Sequence, residues 1–285
     1  MAFKGILIPI GGNEDKGNTN DEIEGLDFIK DGILSRVVLE SGGLDANIVV
    51  IPTASRIPIE VGENYMKAFD KLGCTDVQVL QITNRDHSED PSNIKAIQEA
   101  DCIMFSGGDQ SRIVDIIGQS TIHKILMERF KNEPIVIAGT SAGAMAMSSE
   151  MISGGSSTEA LLKGSVDMRE GMDFVPDLII DSHFIKRGRF GRLAEAVAKF
   201  PNLIGVGLAE DTGIIIKDRS NFIVIGSGMV IVFDPSSLSH NNSDILSPNV
   251  PMTMVNLTTH VLANSDHFDI KERKVHVLPV EAAFE

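Results

Sequence analysis

Between residues 5 and 181 the chain alternates short, β-rich apolar runs with longer stretches in which apolar residues recur every three or four positions. That alternation is the signature of a parallel sheet covered by helices on both faces, because strands buried on both sides read as continuous apolar runs. Candidate strands fall at residues 5–10, 47–52, 76–82, 101–105, 134–138 and 178–181, and candidate helices at about 26–41, 57–72, 93–99, 110–130 and 141–149. Right-handed crossovers then give an open, doubly wound α/β sheet, mostly parallel. Beyond a further helix at about 190–200 the pattern changes. Closely spaced strands at 203–208, 213–217, 222–225 and 229–233 are joined by short turns, so they are expected to be antiparallel and to extend the sheet. Residues 236–249, rich in Ser, Asn, Asp and Pro, read as an exposed loop. Strands near 252–262 and 268–277 are expected to close the fold, and the acidic stretch 13–24 reads as a mobile surface loop. No polar low-complexity segment divides the 285 residues, so a single α/β domain over 1–285 is expected.

Charge narrows the partners. Forty acidic against 25 basic residues give a formal charge of −15, which repels nucleic-acid phosphates and anionic membrane surfaces. A cationic, zwitterionic or neutral substrate fits better. Cys74 and Cys102 sit beside or inside apolar runs, the pattern of small buried thiols in a reducing, cytoplasmic compartment. The first apolar run is too short for a signal peptide, and no run reaches the length of a membrane span.

The segment Ile135-Val-Ile-Ala-Gly-Thr-Ser-Ala-Gly-Ala-Met sets Gly139-Thr-Ser-Ala-Gly143 between a buried strand and an apolar helix. In this G-x-S-x-G context a serine is lifted on a sharp turn at the carboxyl end of a strand, which makes Ser141 a candidate nucleophile and the Ala142 N–H a candidate oxyanion donor. A serine that merely caps the helix is the competing explanation, so a base must be found. Of the seven histidines, His87 lies in a polar loop, His123 within a helix, and His240, His260, His267 and His276 in the C-terminal loop and strand region. His183 instead follows the strand at 178–181, at the sheet edge where open α/β folds bind ligands and where Ser141 is expected. Glu210 or Asp211, after the next strand, would orient the imidazole, and either could instead be an ordinary turn residue. The order Ser141, His183, acid differs from the Ser, acid, His order of α/β-hydrolases. That argues for another fold running the same chemistry and weakens a carboxylesterase reading.

Small and polar turns gather at the same edge. Gly11-Gly12 and residues 53–56 read as ordinary strand-to-helix turns. The pair Gly107-Gly108 offers a bare backbone, with the Gly108 N–H as a second oxyanion donor and Gln110 as a side-chain contact. In Asp181-Ser-His-Phe-Ile-Lys-Arg-Gly-Arg-Phe-Gly-Arg192, three arginines crowd beside the proposed base of an acidic protein. Guanidinium groups grip carboxylates bidentately, which suits substrate carboxylates; ion pairs with acids such as Glu195 are the alternative. No His/Cys cluster has metal-ligand spacing, so no cofactor is expected.

Taken together, Gly107-Gly-Asp-Gln110, Gly139-Thr-Ser-Ala-Gly-Ala144, His183-Phe with Arg187, Arg189 and Arg192, and Gly207-Leu-Ala-Glu-Asp-Thr-Gly213 resemble the cyanophycinase family, serine peptidases related to aspartyl dipeptidase. The resemblance runs from the first strand to at least Phe233. It implies a class I glutamine amidotransferase-like fold, commonly a homodimer, and a Ser-His-Glu triad falling on Ser141, His183 and Glu210. It also implies exopeptidase hydrolysis of cyanophycin, a poly-aspartate bearing arginine on each side-chain carboxyl, to β-aspartyl-arginine dipeptides. Gln110, Asp181, Ser182, Arg187, Arg189 and Arg192 fall where the family binds this Asp- and Arg-bearing substrate. Ser182 departs from the family's glutamine, and a shorter side chain cannot make the same amide contacts. A peptidase for other Asp-containing peptides or isopeptides, and a binding module that has lost catalysis, remain the competing functions.

Overall fold

In the computed structural model, residues 3–17, 27–156 and 160–278 are described. The strands are β1 (Ile6–Ile10), β2 (Asn47–Ile51), β3 (Asp76–Val79), β4 (Cys102–Phe105), β5 (Val136–Thr140), β6 (Glu150–Gly155), β7 (Val166–Glu170), β8 (Leu178–Asp181) and β9 (Ile204–Leu208). They continue with β10 (Thr212–Lys217), β11 (Asn221–Gly226), β12 (Val230–Asp234), β13 (His240–Asn241), β14 (Met254–Val255), β15 (Thr258–Leu262), β16 (His267–Asp269) and β17 (Lys274–His276). The helices are α1 (Ile33–Glu40), α2 (Pro58–Leu72), α3 (Pro91–Glu99), α4 (Gln110–Ile117), α5 (Thr121–Asn132), α6 (Ala142–Met145) and α7 (Phe190–Lys199).

The main sheet has the order β17-β16-β11-β10-β1-β5-β4-β2-β3. Its strands from β1 to β3 are parallel, and β10, β11, β16 and β17 add antiparallel neighbours. Strand alternation sends successive side chains to opposite faces. Leu7, Val49, Ile51, Ile103, Phe105 and Ile137 therefore join one core. Ile8, Ile10, Ile48, Val50, Met104 and Ala138 join the other. Helices α1 and α2 close the second face with Leu34, Val37, Tyr65 and Phe69. The first face is closed by α3, α4 and α5 and, past them, by a second sheet.

That second sheet corrects one expectation. Strands β9 and β12 do not extend the main sheet; with β8 and β15 they form a separate sheet of order β15-β12-β9-β8. Its inner residues Ile180, Val206, Leu208, Val230 and Val232 share a core with Ile214, Phe222 and Val224 of the main sheet. Its outer residues Ile179, Ile231 and Phe233 are covered by Leu193 and Val197 of α7. Both faces of β9 and β12 are thus buried, one against the main sheet and the other against α7. The chain passes from one sheet to the other between β9 and β10 and again between β11 and β12.

Smaller differences have local causes. The expected helix 110–130 is two, broken at Gly118 and Gln119 (φ 59°), after which Ser120 caps α5 by accepting from the His123 N–H. The expected helix 141–149 stops at Met145, and the hairpin β6–β7 follows. Its Ser- and Gly-rich sequence lacks the alternation that reveals a strand. The loop 236–249 contains β13, paired with β14. Of the supposed surface loop 13–24, residues 18–24 lie outside the described residues, whereas Glu14 is buried.

Strand β5 lies between β1 and β4, and Ile137 on it is fully buried. Ile137→Ala is expected to remove about 2–5 kcal/mol of stability, read as a lower denaturant midpoint at unchanged slope.

Candidate active site

Ser141 leaves β5 with φ 50° and ψ −106°, a conformation that costs a residue with a side chain about 1–3 kcal/mol. Its N–H donates to Ile10 O at 2.8 Å, which pins the turn to β1 as the chain leaves the sheet. Helix α6 then passes close to β4: a Cβ on Gly143 would stand 2.6 Å from Phe105 O, so glycine is required there. Ala142 opens α6, where an N–H has no intrahelical acceptor.

His183 follows β8 and Glu210 follows β9, both in the smaller sheet, whereas Ser141 follows β5 in the larger. The expectation of a single shared sheet edge is therefore corrected. What joins the two sheets is the end of β1. Ile10 O accepts from the Ser141 N–H, Gly11 O from the His183 N–H at 2.8 Å, and Gly12 O from the Asp211 N–H at 2.9 Å. Gly12 has φ +107°, and a Cβ on it would stand 2.5 Å from Cε1 of the imidazole. Only a residue without a side chain lets the ring lie against this turn, so the pair Gly11-Gly12 is more than a tight connection.

His183 Nδ1 lies 3.2 Å from Glu210 Oε1. A carboxylate only accepts, so the ring proton sits on Nδ1 and Nε2 carries the lone pair. Burial pushes the imidazole below its ordinary pKa of 6.5, Arg187 and Arg189 push the same way, and Glu210 opposes them. Near neutral pH the ring is uncharged and able to take a proton. Asp211, the other acid considered, is turned away: Oδ1 accepts from the Asp15 N–H at 3.1 Å and Oδ2 from Ser227 Oγ at 2.6 Å. Ser141 Oγ forms no hydrogen bond with His183; it stands 3.5 Å from Ser182 Oγ. Contacts of this kind tighten when substrate binds. Ser141 and His183 both line an open pocket of about 420 Å³, together with Gly107, Gly108 and Arg187.

The arginine cluster divides. Arg192 is buried and holds Asp181 through Nε at 2.9 Å and through Nη2. Arg189 Nη1 donates to Asp181 Oδ1 at 3.1 Å and to Ser182 O at 2.7 Å. Asp181 is wholly buried and is the acid these two arginines share, while Glu195 Oε1 accepts from the N–H groups of Gly164 and Val166. Arg187 is exposed on the pocket wall, and no acid among the described residues pairs with it. Ser182 is buried, with Oγ donating to Met145 Sδ at 3.2 Å. Gln110 sits at the start of α4, and its Nε2 donates to Ile152 O of β6 at 2.9 Å, outside the pocket lining.

Sequence reasoning did not single out Asn13, Glu14, Lys16, Asn64 and Tyr65, which form the pocket's other wall. One signal was available: the helical period of α2 puts Tyr65 on the buried face with Ala68 and Phe69, and a buried phenol needs a polar partner. Among the described residues no group of three or more His, Cys, Asp or Glu side chains gathers as a metal site.

The model of peptidase family S51 matches residues 30–224. A cyanophycinase of Nostoc sp. (strain PCC 7120) is 36% identical over 277 residues, covering 96% of this chain and 89% of that protein. A cyanophycinase of Geminocystis herdmanii is 33% identical, with 96% of each chain covered. Among solved structures, a peptidase from an acI-B1 Actinobacterium superposes with a TM-score of 0.61 at 20% identity, covering 92% of this chain and 98% of that one. A putative peptidase E protein from Listeria monocytogenes gives 0.50 at 18% identity, covering 78% and 98%. At those identities the structural likeness speaks for the fold alone.

Two outcomes are expected from labelling Ser141 with an organofluorophosphate. The labelling rate should fall as pH drops through the His183 pKa, with a midpoint below 6.5. Removing the repelling charge in Arg187→Gln should move that midpoint up, and Glu210→Gln should move it down while slowing the reaction. Separately, Gly12→Ala should displace the imidazole and slow labelling about 100-fold, read by mass spectrometry of the modified serine over time.

Proposed function

The chain belongs to peptidase family S51, and from that premise we propose that it is a cyanophycinase, a serine-type exopeptidase releasing β-aspartyl-arginine dipeptides from cyanophycin. It is a peptidase by family, and cyanophycinase is the activity carried by name in curated relatives that span nearly all of it. The observation that carries the reading is one pocket open to both a serine on a strained turn and a neutral imidazole backed by a carboxylate.

In the proposed mechanism His183 Nε2 takes the proton of Ser141 as Oγ attacks the scissile carbonyl carbon. Glu210 holds the imidazolium that results, and the N–H groups of Gly108 and Ala142 receive the oxyanion. The protonated imidazole then gives its proton to the leaving nitrogen, and the C–N bond breaks to leave an acyl-enzyme. Water repeats the sequence in reverse, its proton going to His183, and frees Ser141. Arg187 is the guanidinium that meets a substrate carboxylate directly. Arg189 and Arg192, bound to Asp181, form the layer that holds the segment in place, with Ser182 behind the nucleophile and Gln110 bonded to Ile152 O outside the pocket lining. The chain is further proposed to work as one domain, as a homodimer, in the cytoplasm. The last of these is supported by two buried, unpaired cysteines, and a formal charge of −15 disfavours nucleic acid and anionic membranes as partners.

Ser182 favours a second reading, in which the same machinery cuts another Asp-containing peptide or isopeptide. Its side chain is buried and occupied with Met145, so it offers no amide to the substrate.

Incubation with purified cyanophycin followed by mass spectrometry decides between them. β-Aspartyl-arginine is the expected product; an untouched polymer alongside cleaved aspartyl dipeptides would transfer the assignment to the second reading. Ser141→Ala should lower turnover by at least about 10⁴-fold without altering the thermal midpoint. An organofluorophosphate that fails to modify Ser141 in the wild-type protein would leave only a non-catalytic binding role.

A further inference from the structure

Glu14 is a buried carboxylate on the pocket wall that the proposed mechanism does not use. Its Oε2 accepts from Thr140 Oγ1 at 2.5 Å, and its Oε1 accepts from Lys16 Nζ at 2.7 Å and from the Tyr65 hydroxyl. Burial alone would raise its pKa, but the Lys16 ammonium and the two hydroxyl donors outweigh that and hold the carboxyl below its ordinary value. The Tyr65 phenol is pushed well up, by burial and by the charge of Glu14. The group is therefore an ionised acceptor with three donors, at which truncating any one partner leaves a buried polar atom unsatisfied.

Its location gives this network a task. Thr140 is the last residue of β5, and the next residue is the strained Ser141. A backbone in that region persists only when its surroundings over-determine it. The bond from the Ser141 N–H to Ile10 O fixes one side of the turn, and the bond from Glu14 to Thr140 fixes the residue just before it. Tyr65 belongs to the buried side of α2, which covers one face of the main sheet, so the carboxylate ties the turn to a helix and not only to a loop. The same loop reaches the acid side of the site, where the Asp15 N–H donates to Asp211 Oδ1.

We propose that Glu14 is a positioning residue for the nucleophile: held by Tyr65 and Lys16, its carboxylate fixes Thr140 and so keeps Ser141 in the strained conformation from which it attacks. This deepens the serine-peptidase reading and rests on it. Two alternatives are separable from it by experiment: Glu14 contacts substrate directly, or it only stabilises the fold.

The test uses the full-length protein, with hydrolysis kinetics, the organofluorophosphate labelling rate of Ser141 and the thermal midpoint measured on each variant. Glu14→Gln and Thr140→Val are each expected to lower kcat and the labelling rate about 10- to 100-fold with KM within about twofold. Thr140→Ser, which keeps the hydroxyl, should recover most of the loss. The double variant Glu14→Gln/Thr140→Val should be no slower than the slower single one, because both act on the same contact, which Glu14→Gln weakens and Thr140→Val removes. Thr140→Val keeps shape and charge, so it carries the test if Glu14→Gln strands Lys16 and fails to fold. A raised KM at unchanged kcat would make Glu14 a substrate contact and overturn the proposal. So would a lowered thermal midpoint with an unchanged labelling rate, or additive losses in the double variant. If the wild-type protein is not labelled at Ser141, the peptidase reading falls and this one with it; if the wild type is labelled as fast as both single variants, this proposal alone falls.

Discussion

Three successive carbonyls at the end of β1 accept from the backbone N–H groups of Ser141, His183 and Asp211. These bonds tie all three stretches to one strand end. The stretches leave β5, β8 and β9, which belong to two sheets, and each arrives with a positive φ: 50° at Ser141, 47° at His183 and 45° at Asp211. The strain is local and repeated, and it is offset by hydrogen bonds to backbone atoms that a side-chain substitution on β1 does not remove. The glycines at 11 and 12 follow from the same arrangement, since the strand end must approach the imidazole and the Ala209 carbonyl more closely than a Cβ allows.

The charge distribution follows a parallel logic. In a protein of formal charge −15, the candidate site is bordered by Lys16 and Arg187, with Arg189 and Arg192 just behind. Two of those arginines do not face the pocket; they neutralise Asp181, which is wholly inside the protein. Breaking a buried pair by removing one partner costs far more than an exposed pair contributes. Asp181 and Arg192 are thereby fixed by the interior, while Arg187 lines the pocket and also lowers the basicity of His183. One cluster of like charges thus divides into a structural part and a part facing the pocket.

Much of this was legible beforehand, and the rest fails for identifiable reasons. The parallel strands β1, β2, β4 and β5 are apolar runs because both faces are buried, while the edge strand β3 is partly exposed, and all five match the sequence reading to within three residues. Ser141, His183 and the pair Glu210 and Asp211 could be singled out as candidates because each follows the carboxyl end of an apolar run. The second sheet could not be read, because a strand buried between two layers in one sheet has the same composition as in another. The β6–β7 hairpin was hidden by its Ser and Gly content, and the break between α4 and α5 by an apolar period that continues through Gly118. Glu14 was assigned to a surface loop from its acidic neighbours. Its burial depends on Tyr65 and Thr140, more than fifty and a hundred residues away respectively in order of sequence, and no local pattern reports that.

The division of the site between two sheets has a mechanical consequence. Ser141 belongs to the larger sheet, and His183 and Glu210 belong to the smaller, while the seam between them is sewn by the amides of His183 and Asp211. The gap between hydroxyl and imidazole is therefore set by how the two layers meet and not by strand pairing within either sheet. That gap thus acts as a gauge of the seam, and solvent exchange at those two amide protons is the measurement that would read it.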